Sequence, residues 1–119
     1  DAQVLTADST TATGLKWATA SAAAAAPVIQ SKTAAYTVLL TDDILWGDGT
    51  FTFTLPSCAG LASKKYWKFL NIGTGVITIL TNGAETISYG GVAATTLTLS
   101  DPGAGVEIQC NQGAAMYAF

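Results

Sequence analysis

Residues 34–119 follow a two-residue hydrophobic period, and this alternation restricts most of the chain to β-structure. In the clearest example, Phe51, Phe53 and Leu55 alternate with threonines. Side chains two residues apart lie on the same face of a strand, so these three share a face that can enter a core. Turn signals such as Asn82-Gly83 separate the apolar runs at intervals of about ten residues. The pattern predicts an all-β, jelly-roll-like sandwich of about eight or nine short antiparallel strands.

Two features of this region bear on how its strands connect. The Gly73-Thr74-Gly75 turn predicts that the two strands beside it form a hairpin. No stretch of roughly 20–50 residues repeats, which argues against a solenoid. The predicted strands cover residues 36–40, 44–46, 51–55, 66–72, 76–80, 86–89, 96–99, 106–110 and 116–119.

Residues 1–33 differ from the rest of the chain because alanine, serine and threonine dominate them. Helix propensity favours the alanine-rich run 18–26, but Pro27 ends it after about nine residues, too few for an isolated helix in water. We therefore predict a low-complexity Ala/Thr-rich N-terminal connector at 1–33, ordered by neighbouring chains, and a β-sandwich domain at 34–119. The chain begins with Asp1 rather than methionine, so we expect it to belong to a longer protein.

Composition excludes several classes of function. The chain has no histidine and no arginine, and its five lysines are set against eight acidic residues. The usual general base and the bidentate phosphate clamp are therefore missing, and the net charge of −3 does not suit a nucleic-acid-binding surface. Glu85 and Glu107 are the only glutamates, and neither has an evident partner for polysaccharide cleavage. We expect no catalysis, no cofactor, no nucleic-acid partner and, without an apolar run of about 18–20 residues, no membrane insertion.

Low charge and high hydropathy indicate that other chains cover part of the surface. Charged residues make up 11% of the chain, and the mean hydropathy is +0.39. An oligomer hides surface that a monomer must keep polar, so self-association explains both values.

The N-terminal segment carries a distinctive sequence. Residues 4–10 read VLTADST, and residues 12–18 read ATGLKWA. Together they resemble a segment that recurs in tailed-bacteriophage fibre and appendage proteins. The rest of the chain is similar to the end domains of such proteins, in the segments 33–37, 51–56, 71–79, 83–87, 97–103 and 116–119.

The resemblance implies a virion structural protein, usually a homotrimer, whose N-terminal stretch connects it to other virion proteins. We expect the β domain to be the C-terminal domain of a tail fibre or tail knob that takes part in host attachment by multivalent binding. Such a protein is made in the host bacterial cytoplasm and ends in the virion. Within the connector, Leu15, Trp17, Val28 and Ile29 are expected to pack between chains. Two alternatives stay open: a capsid decoration or head-fibre protein that binds the capsid, and a carbohydrate-binding module of a secreted protein.

Three aromatic residues, Trp46, Trp67 and Tyr89, are candidate contacts for a host cell-surface glycan, because aromatic faces on a β-sandwich can stack on sugar rings. The alternative is core or subunit packing, which aromatic residues dominate energetically. Tyr66 and Trp67 are adjacent, so they point to opposite faces of their strand, and we expect one of them to face solvent or a neighbour.

Asp42, Asp43 and Asp48 are the weak candidates for metal ligands, because carboxylates close together in a loop can bind Ca²⁺. Their spacing is not that of an EF-hand, and acids beside glycines are also typical of turns, so no metal is assigned. Cys58 and Cys110 have no metal-like spacing. They can form one disulfide or remain two buried thiols.

Overall fold

A computed structural model describes residues 3–10, 12–19, 24–61, 65–111, 113 and 115–119 of the chain. These residues form 13 strands and no helix, so the all-β prediction is confirmed. Ten of the strands lie in residues 34–119, against the eight or nine predicted. The strands are β1 (Gln3–Ala7), β2 (Leu15–Thr19), β3 (Ile29–Lys32), β4 (Tyr36–Thr37), β5 (Ile44–Gly47), β6 (Phe51–Thr54), β7 (Tyr66–Asn71), β8 (Ile77–Leu80), β9 (Thr86–Tyr89), β10 (Val92–Ala94), β11 (Thr96–Leu99), β12 (Gly105–Cys110) and β13 (Ala115–Ala118).

The strands form three sheets, two of which face each other as a sandwich. The first sheet is a separate hairpin of β1 and β2. The seven-stranded sheet has the order β10-β9-β13-β12-β7-β5-β3, and the four-stranded sheet has the order β11-β8-β6-β4.

The hydrophobic core lies between the two larger sheets and is built from the inward side of the alternating strands. The ring centroids of Phe53 in the four-stranded sheet and Phe69 in the seven-stranded sheet are 5.4 Å apart. The predicted inward positions of Phe53 and Leu55 are confirmed, since both are fully buried, and Phe51 is half-buried against them. Full burial of one such side chain stabilises the fold by about 1.5–3 kcal/mol. The buried apolar set is Val38, Leu45, Phe53, Leu55, Cys58, Trp67, Phe69, Ile77, Ile79, Ile87, Leu99, Val106, Ile108, Cys110, Met116 and Ala118.

Three consecutive strand pairs are arches, in which the chain leaves the seven-stranded sheet, turns, and enters the four-stranded sheet. The arches are β3–β4, β5–β6 and β7–β8. Their first strands pair in parallel in the seven-stranded sheet, and their second strands pair in parallel in the four-stranded sheet. The arches therefore stack on one another like three short coils.

This stacking corrects the predicted strand pairing. Five ladders are parallel, whereas the sequence predicted antiparallel strands throughout. Because jelly-roll strands pair antiparallel, the jelly-roll connectivity is not confirmed. The stack also escaped the search for repeats, since its repeats differ in length. Ile29, Ile44 and Lys68 hold equivalent places, so the first repeat takes 15 residues and the second takes 24.

The turn at residues 73–75 does not close a hairpin, because the strands beside it, β7 and β8, belong to different sheets. Asn71, fully buried at the end of β7, holds this turn. Its amide donates to the carbonyl oxygen of Gly75 (2.7 Å), and its Oδ1 accepts from the N–H of Gly73 (3.1 Å). A Cβ on Gly75 would collide with the backbone of Gly49 in the preceding arch. The hairpin prediction was therefore wrong, since this turn packs across the turn of the preceding arch.

Part of the predicted connector takes part in the sandwich. β3 pairs in parallel with β5 and forms one edge of the seven-stranded sheet. The alanine-rich run forms no helix in its described residues, because Ala18 and Thr19 belong to β2 and residues 24–26 have no regular structure. Residues 20–23 lie outside the described residues.

Cys58 and Cys110 form a disulfide, which decides between the two alternatives that the sequence left open. Their Cα atoms are 5.5 Å apart, and both residues are fully buried. The bond joins the loop after β6 to the end of β12, and so links the two sheets. Beside it, the buried Glu85 carboxylate accepts hydrogen bonds from the N–H of Cys58 (3.0 Å) and the hydroxyl of Ser57 (2.6 Å).

We expect the Cys58→Ala/Cys110→Ala variant to lose about 4 kcal/mol of its free energy of unfolding, because a cross-link across a sequence separation of 52 restricts the unfolded chain by about that much. Urea denaturation followed by tryptophan fluorescence measures the loss. Wild-type protein in reductant serves as the control and should unfold like the variant. Equal midpoints for oxidised and fully reduced wild-type protein would contradict the expectation.

Candidate functional site

The β1–β2 hairpin has one apolar face. Leu5 lies opposite Trp17, and Ala7 lies opposite Leu15. Residues that face each other across a ladder, or lie two apart along a strand, share a face, so these four side chains form one surface. We call it the hairpin face. At its centre Trp17 is 66% exposed and Leu5 is 53% exposed, so most of the indole is in water.

Local contacts hold the loop of this hairpin. The N–H of Asp8 donates to the carbonyl oxygen of Gly14 (2.7 Å), and the Asp8 carboxylate accepts from the N–H of Thr10 (2.9 Å) and lies 2.8 Å from Lys16 Nζ. The hydrogen bond with Lys16 is the largest cause of a lowered pKa at Asp8, followed by those with Thr10. Contacts within the hairpin therefore hold its loop. An isolated two-stranded ribbon is nevertheless only marginally stable in water. Its apolar face calls for a partner.

The three candidate metal ligands do not converge. Asp43 Oδ1 lies 2.7 Å from Lys65 Nζ, and its Oδ2 accepts from the N–H of Val28 (2.9 Å). These contacts, with Lys65 first, hold the pKa of Asp43 below its ordinary value. The Asp43 carboxylate is thus engaged in anchoring the chain just before β3.

The neighbouring Asp42 is also engaged. Its buried Oδ2 accepts from the hydroxyl of Tyr36 (3.1 Å) and from the N–H of Leu39 (2.9 Å). Burial, and next this hydrogen bond, raise the pKa of Tyr36. Asp48 is exposed in the turn between β5 and β6. Over the described ranges, no group of three or more His, Cys, Asp or Glu residues is placed to hold a metal ion.

The structure exposes Val28 and Ile29, which the sequence predicted to pack between chains. Sequence reasoning missed Leu39 and Leu40, which are exposed as well. The available signal was the adjacency of two leucines, since neighbours on an extended chain cannot both face the core. Because consecutive aspartates bind the backbone of Val28 and Leu39, these apolar residues gather at the open end of the first arch.

The outward faces of the two larger sheets differ in chemistry. On the four-stranded sheet the outward positions are mostly threonines: Thr37, Thr52, Thr54, Thr78, Thr96 and Thr98. The outward positions of the seven-stranded sheet, here called the outer face, carry one ion pair, with Lys68 Nζ at 3.4 Å from Glu107 Oε2. Gln109 also points outward there, and the remaining large side chains of the outer face are apolar or aromatic, which marks it as an interaction surface. They are Ile29, Ile44, Trp46, Tyr66, Leu70, Tyr117 and Phe119.

A depression of about 360 Å³ lies in the outer face where Gly105 has no side chain. Trp46, Leu70 and Phe119 form apolar parts of its wall, and the Lys68–Glu107 pair lies beside them. We call it the Gly105 depression. Phe119 is 71% exposed and was not among the predicted site residues. The available signal was the alternation of the last strand, which places Phe119 on the same side as the exposed Tyr117.

The three candidate glycan contacts fall in different places. Trp46 is 38% exposed and lines the Gly105 depression. Tyr89, on β9, lines a separate groove of about 310 Å³ near β10 and β11, and three strands lie between β9 and β5 in the sheet order. Trp67 is fully buried, and its indole N–H donates to the carbonyl oxygen of Leu39 (3.2 Å), so the prediction that it contacts a glycan is wrong. The prediction that one of Tyr66 and Trp67 faces solvent is confirmed, since Tyr66 is exposed.

Comparisons with protein-family models, with curated proteins and with solved structures find no match to this chain. In the described residues, no helix is long and apolar enough to cross a membrane.

We expect Asp43→Asn to destabilise the protein at neutral pH, because it removes the ion pair with Lys65. The folded pKa of Asp43 lies below its ordinary value of 3.8, so the carboxylate stabilises the fold above that value and loses this effect as the pH falls through the folded pKa. The gap in thermal midpoint between wild type and variant should therefore shrink in strong acid. Asp101→Asn, at an exposed turn, is the matched control. A gap that stays constant with pH would contradict this role.

Proposed function

We propose that this chain is a domain of a bacteriophage virion appendage, a tail fibre or tail knob, and that it works as a homotrimer. The hairpin face, together with Val28 and Ile29, joins the copies, and the N-terminal segment connects them to other virion proteins. The domain is made in the host cytoplasm, is displayed on the particle and takes part in host attachment. Each copy supplies a weak contact, and display in threes multiplies its effect.

The exposed Trp17 at the centre of the hairpin face carries this proposal. An indole in water on a marginal ribbon is a poor arrangement for a monomer. The chain exposes 7139 Å² in all, whereas a compact monomer of 12.1 kDa exposes roughly 6,000 Å². The excess of about 1,100 Å² exceeds the roughly 800 Å² that one partner contributes to a standard interface.

The shape of the protomer supports the same proposal. Its radius of gyration is 20.0 Å and its principal extents are 64 × 29 × 22 Å. A compact domain of this length has a radius of gyration of roughly 13–14 Å. A long and narrow protomer with a low density of charge suits side-by-side association in a fibre.

A carbohydrate-binding module of a secreted protein is the second candidate, and the Gly105 depression favours it. Trp46 and Phe119 offer aromatic surface, and Lys68 and Glu107 offer polar groups to a sugar. Such a module works as a monomer with its aromatic platform in water. Tyr89 lies too far around the sheet to contact the same sugar ring.

We expect wild-type protein at micromolar concentration to scatter light as a trimer, and Trp17→Ala to shift it toward monomer. Truncating a buried aromatic side chain at an interface costs about 2 kcal/mol or more. Val92→Ala, an exposed apolar change on β10, is the control and should leave the trimer intact. A monomeric wild type that binds glycans would contradict the trimer and support the carbohydrate-binding module.

Immunogold labelling of virions that carry the chain separates the two virion roles. We expect label on the tail and competition by the purified trimer against adsorption of the particles to host cells. Label on the capsid, without such competition, would support the capsid decoration or head-fibre alternative.

A further inference from the structure

We propose that Trp17 of one copy inserts into the Gly105 depression of the next copy, so that three copies join head to tail in a closed ring. This proposal rests on the proposed self-association, and it names the two surfaces that meet. The partner is a second copy of this chain, and the segment that docks is its β1–β2 hairpin.

The first surface is the hairpin face. Trp17 and Leu5 lie opposite each other at its centre, and both are exposed. The face carries no charged side chain, because Lys16 lies opposite Thr6 on the other side of the ribbon and pairs there with Asp8. A large, flat indole at the centre of an apolar ribbon has the form of a residue that fills a pocket.

The second surface has room for that indole. A cavity of about 150 Å³ is enough to hold a benzene molecule. The Gly105 depression measures about 360 Å³ and is open to solvent, so a flat aromatic ring can lie in it. Its walls include Trp46, Leu70 and Phe119, so the indole meets apolar and aromatic surface on entry.

Charge and polarity identify this side of the sandwich as the docking side. Among the described residues that line the depression, the charged side chains are Lys68 and Glu107, which pair with each other at 3.4 Å. An uncharged hairpin face therefore meets no unpaired charge there, which a buried contact would penalise. The opposite side of the sandwich is the threonine-rich face, which is suited to water. The two apolar surfaces are flat β faces, and such faces pack at about 10 Å.

The position of the two surfaces sets the symmetry. The hairpin face and the Gly105 depression are different patches of one chain, so their contact is heterologous rather than self-complementary. Heterologous contacts close into a ring when the rotation allows it, and the proposed trimer requires three of them. This arrangement places Trp17 in a neighbour's sheet, whereas the sequence prediction only placed it between chains.

Two single variants remove one surface each. Trp17→Ala removes the docking residue, and Phe119→Ala removes a wall of the depression at an exposed terminal position that the core does not need. Tyr89→Ala, an exposed aromatic residue outside the outer face, is the matched control. We expect each of the first two to weaken association by about 30-fold or more in sedimentation equilibrium, and the control to behave as wild type. Unchanged thermal midpoints of the monomers verify folding.

Mixing the two variants tests the head-to-tail geometry. Phe119→Ala protein still has Trp17, and Trp17→Ala protein still has an intact depression, so an equimolar mixture should form a one-to-one complex at concentrations where each alone is monomeric. If Phe119→Ala remains as trimeric as wild type, the depression is not used and this inference fails while the trimer stands. If the mixture stays monomeric, three hairpins that pack on one another become the better arrangement. A monomeric wild type removes both proposals.

A direct contact map completes the test. With the photoreactive residue p-benzoylphenylalanine in place of Trp17, irradiation of the trimer should link position 17 to residues 44–46, 66–70 or 105–119 of another copy. Cross-links to residues 3–19 of another copy would overturn the inference. Titration of the wild-type trimer with a panel of neutral, N-acetylated and acidic oligosaccharides provides the remaining outcome. Binding that Trp46→Ala abolishes, while the trimer persists, would assign the depression to a sugar instead.

Discussion

The crossing from one sheet to the other within each arch determines the rest of the fold. Each arch contributes one strand to the seven-stranded sheet and one strand to the four-stranded sheet. Stacking the arches in parallel therefore extends both sheets, and the core between them, at the same time. Equivalent positions of successive arches then become neighbours, as Tyr36, Phe53 and Ile79 do across the four-stranded sheet. The rings of Tyr36 and Phe53 meet edge to face with centroids 6.4 Å apart. The stacking also lines up the outward positions of β3, β5 and β7, and β12, paired antiparallel with β7, completes the depression with Gly105 and Glu107.

A chain with few charges holds its turns by burying polar side chains against the backbone. Asn71 holds the turn between β7 and β8, and Glu85 holds the loop that contains Cys58. Thr81 joins this system, because its hydroxyl donates to the carbonyl oxygen of Glu85 (2.8 Å). In the part of the chain that the structure describes, no buried side-chain nitrogen or oxygen lacks a partner. Apart from the half-buried Asp43–Lys65 pair, the described ion pair of the sandwich is exposed, so its stability should depend only weakly on salt.

Alternation in the sequence was enough to assign strands and their inward sides, but not to assign neighbours. Which side of a strand a residue faces depends only on its place in the alternation, which is local. The alternation correctly put Phe53 inside, and Tyr66 and Trp67 on opposite faces. Which strands become neighbours in a sheet depends on residues far apart in the chain. Because the arches differ in length, they also leave no regular period in the sequence. For the candidate site, aromatic chemistry alone could not separate Trp67 in the core from Trp46 on the surface. The role of Phe119 depends on the missing side chain of Gly105, which lies on another strand.

The disulfide gives the domain a limited extensibility under load. Consider a load applied between β1 and β13. As strands separate, the segment between Cys58 and Cys110 cannot extend, because the disulfide joins its two ends across a sequence separation of 52. Roughly 180 Å of contour length is thereby withheld from stretching. A reduced molecule would release that length under load, whereas the oxidised molecule keeps it closed and extends less.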